Sequence, residues 1–341
     1  MKCITGKFNC WLLAFGCWLL AVGCSSDHAD EQKTANTLHV MPYTVAYQDN
    51  GALTRRAVST GYTPYTPDHD VSIGLFVLPD TDNPPTAKLI RYSSGDWHSQ
   101  ATVEGDHDYR IYGFMPKSFD ASISESAGNT VMILTGIPSV IADDVCFITG
   151  VKDNTEDLLQ GRFDYRGKSD NNYVRLLMDH LFAAVSLNFS VDAEYSALRT
   201  IKLKSLTLTS TVTSVTATVT LTPNATGADP VTSVSYVSAG TASSSATFFE
   251  NTSGIDITSA EIGNSFCCFA PEQGNTLTLV STYDVYDRKG NKIRENCTAP
   301  NKLPNLNAAR GQRVTLNLHV APTYLGVLSD PDLDHPTFTV N

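Results

Sequence analysis

Hydrophobic and polar residues alternate along most of the chain after residue 36, and this period of two predicts β-strands. The clearest example is 215–221, in which valine, alanine and leucine alternate with threonine. The same alternation covers 277–285 and 314–320. Apolar residues on one face and threonines on the other are typical of half-buried antiparallel strands. Shorter strands are predicted near 72–78, 88–93, 108–115, 130–135 and 144–150.

The phase of these runs predicts several local features. The apolar residues of 201–208 change phase half-way, so we expect a β-bulge near Ser205. The sequence DRKGNK at 287–292 is typical of a turn between two strands. Helix is predicted at most over 173–182, and as a single turn over 193–198. The chain is therefore predicted to be all-β, with two β-sandwiches in series.

The first 24 residues have the character of an export signal. Lys2 and Lys7 precede an apolar run over 11–22 that is too short to span a membrane as a helix. The run ends in Leu-Ala-Val-Gly before Cys24, which resembles the lipobox where a peptidase cuts and a lipid is attached to the cysteine sulfur. Such a lipid would hold the protein at the outer membrane. An ordinary cleaved signal followed by an incidental cysteine remains the alternative.

Length and charge narrow the possible functions. The 341 residues suffice for two domains with cores of their own. A net charge of −11 argues against a nucleic-acid partner, because binding phosphates requires clustered lysine and arginine. The turn-rich stretch 167–172 is the best candidate for a domain boundary. The predicted segments are a signal peptide at 1–23, a tether at 24–36, an N-terminal sandwich at 37–172, a C-terminal sandwich at 173–322 and a tail at 323–341.

Motifs of catalysis are missing from the sequence. It contains no G-x-S-x-G elbow, HExxH, Walker loop or dinucleotide fingerprint, so the prediction is a protein without enzymatic activity or cofactor. Asp-His-Asp triplets at 68–70 and 106–108 stand in turn-like contexts and are interpreted as solvated loops. The aspartates of 330–334 lack the glycine and glutamate of a calcium loop. No metal site is predicted.

Four cysteines follow the signal and tether. Cys146, Cys267, Cys268 and Cys297 are disulfide candidates in an exported protein, and three full pairings remain open. Cys267 and Cys268 are adjacent, so in a strand their side chains point to opposite faces. No CxxC pair is present, which argues against a zinc site.

The beginning of the chain after the tether predicts a strand followed by a protease site. Alternation over 37–47 gives this strand two faces, and Pro42 predicts that it lies at an edge or a bulge, because proline cannot donate a ladder hydrogen bond. Arg55 and Arg56 follow in a polar segment and suit an arginine-specific protease. A solvated basic pair explains the two arginines equally well.

The end of the chain extends beyond a natural finish. The strand over 314–320 would complete a sandwich, yet 323–328 and 336–340 are again strand-like. Two interpretations stay open. The tail is either a final hairpin that closes its own sheet, or a pair of strands that can leave and pair with another subunit.

These features, together with two short stretches, resemble the fimbrillin-like family of Bacteroidales. The stretches are 181–190 (LFAAVSLNFS), which follows His180, and 198–203 (LRTIKL), and Asp157-Leu158-Leu159 lies upstream of both. In that family a histidine followed by apolar and small residues opens the second sandwich. The resemblance covers 24–341 and rests on the order of the features.

The resemblance implies a pilus subunit that matures by proteolysis. The family has two transthyretin-like β-sandwiches, and an arginine-specific protease removes the lipid anchor together with the first strand. Here the scissile residue would be Arg55 or Arg56. A neighbouring subunit's C-terminal strand then fills the groove. Carried over, the displaced strand would present Leu38, Val40, Met41, Tyr43 and Val45, and the donor would present Tyr324, Leu325, Val327, Leu328, Phe338 and Val340.

The partners implied are other pilus subunits, the arginine-specific protease and the outer membrane, and the location implied is a fimbrium on the cell surface. A pilus anchor or tip subunit is the nearest alternative: an anchor would lack a usable arginine site, and a tip might lack a donor tail. A surface lipoprotein that binds glycans is the alternative from another class. Trp97 is the single tryptophan after the signal and is expected to be a core or domain-interface residue.

Overall fold

The described part of the chain is almost entirely β-strand, which confirms the all-β prediction. In the computed structural model the described residues are 37–49, 61–80, 82–103, 108–152, 165–166, 173–222, 231–257, 266–271, 277–303, 306, 308–324 and 331–340. The predicted sites Cys24, Arg55, Arg56, Leu325, Val327 and Leu328 lie outside them.

The largest sheet has nine strands and contains the first described strand, β1. Its order is β3 (Tyr62–Pro64), β1 (His39–Val45), β13 (Tyr173–His180), β11 (Cys146–Lys152), β7 (Asp108–Met115), β4 (Val71–Leu78), β5 (Lys88–Ser93) and β6 (Asp96–Ser99), with β12 (Tyr165–Arg166) paired to β7. Both faces of its central strands are buried. This is why β4 is a continuous apolar run rather than an alternating one.

A four-stranded sheet covers one face of the nine-stranded sheet. Its order is β17 (Val231–Ala239), β16 (Ser214–Leu221), β9 (Asn129–Pro138) and β8 (Asp120–Ser126). The apolar positions of β16, which the alternation predicted, point into a shared core with Phe76, Phe114 and Phe147 of the large sheet. Both sheets bury apolar side chains in this shared core, and that burial holds the two sheets together.

The remaining strands form a second pair of sheets. One has the order β10 (Val140–Ile141), β19 (Cys267–Phe269), β14 (Ala183–Val191), β22 (Gln312–Tyr324) and β2 (Gln48–Asp49), with β23 (Pro331–Val340) also paired to β22. The other has the order β18 (Ser244–Asp256), β15 (Arg199–Ser210), β20 (Leu277–Asp287) and β21 (Lys292–Lys302). Apolar side chains from both sheets form one core between them. The single helical turn α1 (Ala193–Ser196) lies where it was predicted, with the Asp192 carboxylate accepting from the Tyr195 N–H.

Strand pairing crosses the predicted domain boundary at 172. Strand β13 follows that boundary but pairs with β1 and β11, and β16 pairs with β9. The bounds 37–172 and 173–322 stay a prediction, and so does the tandem transthyretin-like arrangement. Each half of the chain supplies strands to sheets that also hold strands of the other half.

Several local predictions are confirmed, and others are wrong. The register of β15 shifts between Leu203 and Ser205, where the bulge was predicted, and the turn after β20 begins at Asp287. Residues 173–180 form a strand instead of a helix, because alternate residues of β13 face a core on one side. Strand β22 is antiparallel only to β23 and runs parallel to β14 and β2.

None of the helices in the described residues has the length and apolarity needed to cross a membrane.

Candidate functional site

Residues 37–49, which we call the first segment, close the nine-stranded sheet on itself. Thr37 forms a bridge with Thr102, and the N–H of Leu38 donates to the carbonyl of Ala101 at 2.9 Å. Residues 101 and 102 follow β6, at the opposite end of the sheet from β1. The sheet therefore curls around one core, and the first segment joins its two ends.

The first segment lies inside the sheet and not at its edge, so the edge position predicted from Pro42 is wrong. Strand β1 runs parallel to β13 from His39 to Thr44 and antiparallel to the short strand β3. The carbonyl of Pro42 accepts from the N–H of Tyr65 at 2.9 Å, just past the end of β3. Because the β3 ladder ends there, the missing N–H of proline is tolerated in an interior strand.

The two faces of β1 differ in burial. Leu38 is fully buried and Val40 nearly so, and both pack into the core enclosed by the curled sheet. Met41, Tyr43 and Val45 are half-buried on the other face. The ring of Tyr43 lies 5.3 Å from the guanidinium carbon of Arg175. Of the residues expected to be displaced, Leu38 and Val40 carry most of the buried apolar contact.

Beyond β1, the first segment enters a polar cluster, Tyr47, Asp144, Cys146, His180 and Cys268, which we call the anchor cluster. Its cysteines and His180 are buried, and Tyr47 and Asp144 are half-buried. His180 ends β13 and is 4% exposed. Its Nε2 donates to the carbonyl of Val45 at 2.8 Å, and its Nδ1 lies 2.8 Å from Oδ2 of Asp144. The imidazole therefore ties the end of β1 to the loop before β11.

Tyr47 is the first segment's own contribution to the anchor cluster. Its ring stacks on His180 with a centroid distance of 3.7 Å and an interplanar angle of 16°. Its hydroxyl donates to Oδ1 of Asp144 at 2.6 Å and lies 3.2 Å from Sγ of Cys268. Both oxygens of this carboxylate are thus engaged, as a buried charge requires.

Burial and charge pairing set the ionisation of the anchor cluster. Burial alone would lower the pKa of His180, but the Asp144 carboxylate beside it keeps that pKa above its usual value. Burial alone would likewise raise the pKa of Asp144, and the His180 imidazolium keeps it below its usual value. Burial raises the pKa values of the Cys146 and Cys268 thiols. Asp144 and His180 therefore each favour the charged form of the other, whereas burial favours the neutral form of both thiols.

Cys146, His180 and Asp144 do not have the geometry of a catalytic triad. In a triad the acid and the nucleophile contact different imidazole nitrogens. Here Sγ of Cys146 lies 3.7 Å from Nδ1 of His180, the nitrogen that also faces Asp144, and the carbonyl of Val45 occupies Nε2. These three residues instead place donor atoms within 4.8 Å of one another, close enough to hold one metal ion.

Past the anchor cluster, the first segment reaches the second pair of sheets. Strand β2 runs parallel to the beginning of β22, with Gln48 opposite Gln312. The N–H of Gln48 donates to the carbonyl of Gly311 at 2.8 Å, and Arg313 contacts the carboxylate of Asp49 at 2.9 Å. The first segment therefore touches the nine-stranded sheet, the anchor cluster and the sheet of the C-terminal strand.

The C-terminal strand β23 lies on its own sheet. It pairs antiparallel with β22, with Val320 opposite Phe338 and Leu318 opposite Val340. Phe338 is buried against Tyr283 at a centroid distance of 4.4 Å, and Val340 is half-buried. Tyr324 ends β22. The sequence left two interpretations of the tail: a hairpin that closes its own sheet, or strands that pair with another subunit. Here β23 pairs within its own sheet, and a donor role for it stays a prediction.

The four cysteines of the described residues are free thiols. Cys267 and Cys268 point to opposite faces, as predicted. Cys267 packs into the core of the second pair of sheets, and Cys268 packs into the core between the nine-stranded sheet and the four-stranded sheet that covers it.

Trp97 packs against the core enclosed by the curled nine-stranded sheet, as expected. Its neighbours Tyr65 and Tyr92 are tilted against it by 40° and 54°, so the three rings do not form a flat platform for a sugar.

Sequence reasoning missed the anchor cluster. It used His180 only as the start of a family motif, and Tyr47 only as the last position of the strand predicted over 37–47. One signal was available in the sequence. Asp179 and His180 form a polar pair between two apolar stretches, and polar residues in such a place indicate a buried polar site. Asp144, Cys146 and Cys268 are distant from it in sequence, so no local spacing connects them.

Comparison with known proteins returns solved structures of low similarity. No protein-family model and no curated protein matches the chain. The chain is similar to a proposed cell adhesion protein from Bacteroides ovatus, at 12% identity over 89% of this chain and 95% of that one, with a TM-score of 0.41. It is also similar to a fimbrial protein from Bacteroides vulgatus (11%, 90% and 98%, TM-score 0.36). A third is the fimbrial anchor protein Mfa2 from Porphyromonas gingivalis (14%, 89% and 97%, TM-score 0.26).

Proposed function

We propose that this protein is a structural pilus subunit that is activated by loss of its first segment. It is exported, carries a lipid on Cys24 at the outer membrane, and is cut after Arg55 or Arg56. The cut releases the lipid and residues 37–49 together. The C-terminal strand of a neighbouring subunit then takes the place of β1, and repetition of this step builds a fibre that serves adhesion.

One observation carries the proposal: the core enclosed by the curled nine-stranded sheet is closed by the first segment, which precedes the arginine pair. Leu38 and Val40 fill that core, and β1 contributes backbone pairing to both β13 and β3. Its loss would expose apolar side chains and unpaired backbone groups, each of which is costly in water. A strand from another subunit would restore both kinds of contact by β-augmentation.

A shaft position is favoured over an anchor or a tip. An anchor would keep its lipid and need no cleavage site, whereas Arg55 and Arg56 follow the first segment after five residues. A tip would need no donor, whereas β23 is a ten-residue strand that carries an aromatic side chain, Phe338, into a core. Contacts that run from the tail of one subunit to the groove of the next do not close on themselves, so they give filaments.

The test is a double variant, Arg55→Lys with Arg56→Lys, treated with an arginine-specific protease. The exposed residue Arg91 on β5 provides the matched control, Arg91→Lys. We expect the wild type and the control to acquire a new N-terminus at 56 or 57 and to polymerise, and the double variant to stay intact and monomeric. Polymerisation of the double variant at the wild-type rate would overturn the proposal, and so would a wild type that stays uncut after exhaustive digestion.

A further inference from the structure

The anchor cluster has the composition and geometry of a metal site. We propose that Asp144, Cys146 and His180 bind a divalent ion of the zinc class as its three protein ligands. Oxygen, nitrogen and sulfur donors together are a set that zinc accepts, whereas calcium and magnesium require oxygen alone.

The backbone directs the three donors to one point. Cys146 and His180 stand directly opposite each other in the antiparallel pair of β11 and β13, so their side chains project from the same face. Asp144 precedes Cys146 by two residues and reaches the same side. The three donor atoms lie within 4.8 Å of one another without any rearrangement.

The distances fit a tetrahedral ion after a small opening. Ligand bonds of roughly 2.0–2.3 Å place tetrahedral donors about 3.5 Å apart. Sγ of Cys146 and Nδ1 of His180 are already 3.7 Å apart. Nδ1 of His180 and Oδ2 of Asp144 are 2.8 Å apart, because a proton lies between them. Replacing that proton by an ion requires these two atoms to separate by less than about 1 Å.

The groups around the donors match the outer shell of a metal site. A metal-binding histidine typically donates its other N–H to a carbonyl or carboxylate, which fixes its orientation. Nε2 of His180 donates to the carbonyl of Val45 at 2.8 Å and leaves Nδ1 for the ion. The hydroxyl of Tyr47 holds the second oxygen of Asp144 and also contacts Sγ of Cys268. Cys268 is fully buried, so its sulfur is shielded from solvent.

The ligands balance the charge of the ion. Ions of the zinc class bind cysteine as the thiolate and histidine as the neutral imidazole. The two positive charges of the ion would then be balanced by the Asp144 carboxylate and the Cys146 thiolate, so the filled site carries no net charge.

Cobalt(II) provides a spectroscopic test, because thiolate ligation gives a sulfur-to-cobalt charge-transfer band and tetrahedral geometry gives intense visible d–d bands. The full chain is used under reducing conditions, with the four cysteines of the first 24 residues replaced by serine in every sample. We expect both sets of bands to saturate at one cobalt per chain and to disappear when one equivalent of zinc is added.

Variants connect the bands to the site. Cys146→Ser and His180→Gln should each abolish the charge-transfer band or weaken cobalt binding at least tenfold, and glutamine can still donate to the carbonyl of Val45. Cys297→Ser is the matched control, because Cys297 lies on β21 outside the cluster, and it should leave the spectrum unchanged. Bands of equal intensity in Cys146→Ser, or no bands in the parent chain, would overturn the proposal.

A second measurement needs no substitution in the site and applies if those variants fail to fold. Cadmium-113 NMR of the same parent chain reports sulfur ligation from the chemical shift. We expect one resonance in the range of mixed sulfur, nitrogen and oxygen ligation. A resonance in the range of oxygen ligation alone, or no bound resonance, would contradict a site that contains Cys146.

Discussion

The first segment and the C-terminal strand are both β-strands that bury apolar side chains, but the chain holds them in different ways. Strand β1 lies between β13 and β3, closes the sheet through Leu38, and continues into the anchor cluster. Strand β23 pairs with β22 alone among the described strands. Its further contacts include a hydrogen bond from the hydroxyl of Tyr195 to the carbonyl of Leu333 and the ion pair of Arg199 with Asp334.

This difference suits the two roles proposed for them. A strand held on both sides cannot leave easily while it remains connected to the chain, so its removal calls for proteolysis. A strand paired on one side can leave its own sheet at lower cost and pair elsewhere. We therefore expect the first segment to contribute more to the stability of the uncut chain than the C-terminal strand does.

The largest effect is expected from Leu38→Ala. The side chain is fully buried in the core that β1 closes, so its truncation should lower the free energy of unfolding by about 2–5 kcal/mol. Met41→Ala on the opposite, half-buried face is the control and should cost less than half as much. Denaturant unfolding of the uncut chain measures both, and equal losses would mean that the buried face of β1 is not what holds it.

The next effect concerns the anchor cluster. Tyr47→Phe keeps the ring stacked on His180 but removes the hydroxyl that donates to Asp144, so it should cost about 1.5–3 kcal/mol. Tyr286→Phe is the control, because that ring lies between Lys202 and Lys292 and keeps this position without its hydroxyl. Denaturant unfolding decides between them. If Tyr47→Phe lowers the free energy of unfolding no more than the control does, the anchor cluster does not stabilise the first segment.

A local effect is expected from Phe338→Ala. The ring of Phe338 packs on Tyr283 and holds the end of β23 in place. Its loss should let the end of the strand open and raise amide hydrogen exchange at 337–340 by about tenfold. Exchange in β1 should not change. Thr339→Ala, at the exposed neighbouring position, should leave both strands as they are. Faster exchange in β1 as well as β23 would mean that the two strands open together.

The smallest effect compares the ion pair of each region. Arg313→Gln removes the contact to Asp49 of the first segment, and Arg199→Gln removes the contact to Asp334 of the C-terminal strand. Both pairs are partly exposed, so each should contribute about 0–1 kcal/mol and less at high salt. Urea unfolding at two salt concentrations measures this. If Arg313→Gln lowers the free energy of unfolding by more than that range, the ion pair rather than apolar burial is the main contact that keeps the first segment in place.

The sequence predicted strands and their buried faces well, because alternation is a local property. The apolar positions of β16 and the bulge at Ser205 followed directly from the spacing of side chains. Strand β13 was mistaken for a helix because its apolar run lacks clean alternation. The parallel pairing of β1 with β13, and hence the interior position of Pro42, depends on a partner more than a hundred residues away.

The candidate site was predicted in part for the same reason. The alternation of 37–47 predicts a strand with two faces, but it does not say which face is buried, because apolar residues stand on both; the structure buries Leu38 and Val40. The anchor cluster joins residues from four separate places in the chain, and nothing local to Asp144 or Cys268 indicates that they meet His180.

The most direct test of the central claim is the molar mass of the cut protein with and without residues 323–341, measured by light scattering. After cleavage at Arg55 or Arg56, the chain with its tail should form fibres. The chain that lacks the tail should stay monomeric and shorten wild-type fibres when mixed with them, because it can accept a strand but cannot donate one. Fibres from the truncated chain that are as long as those of the wild type would contradict the account.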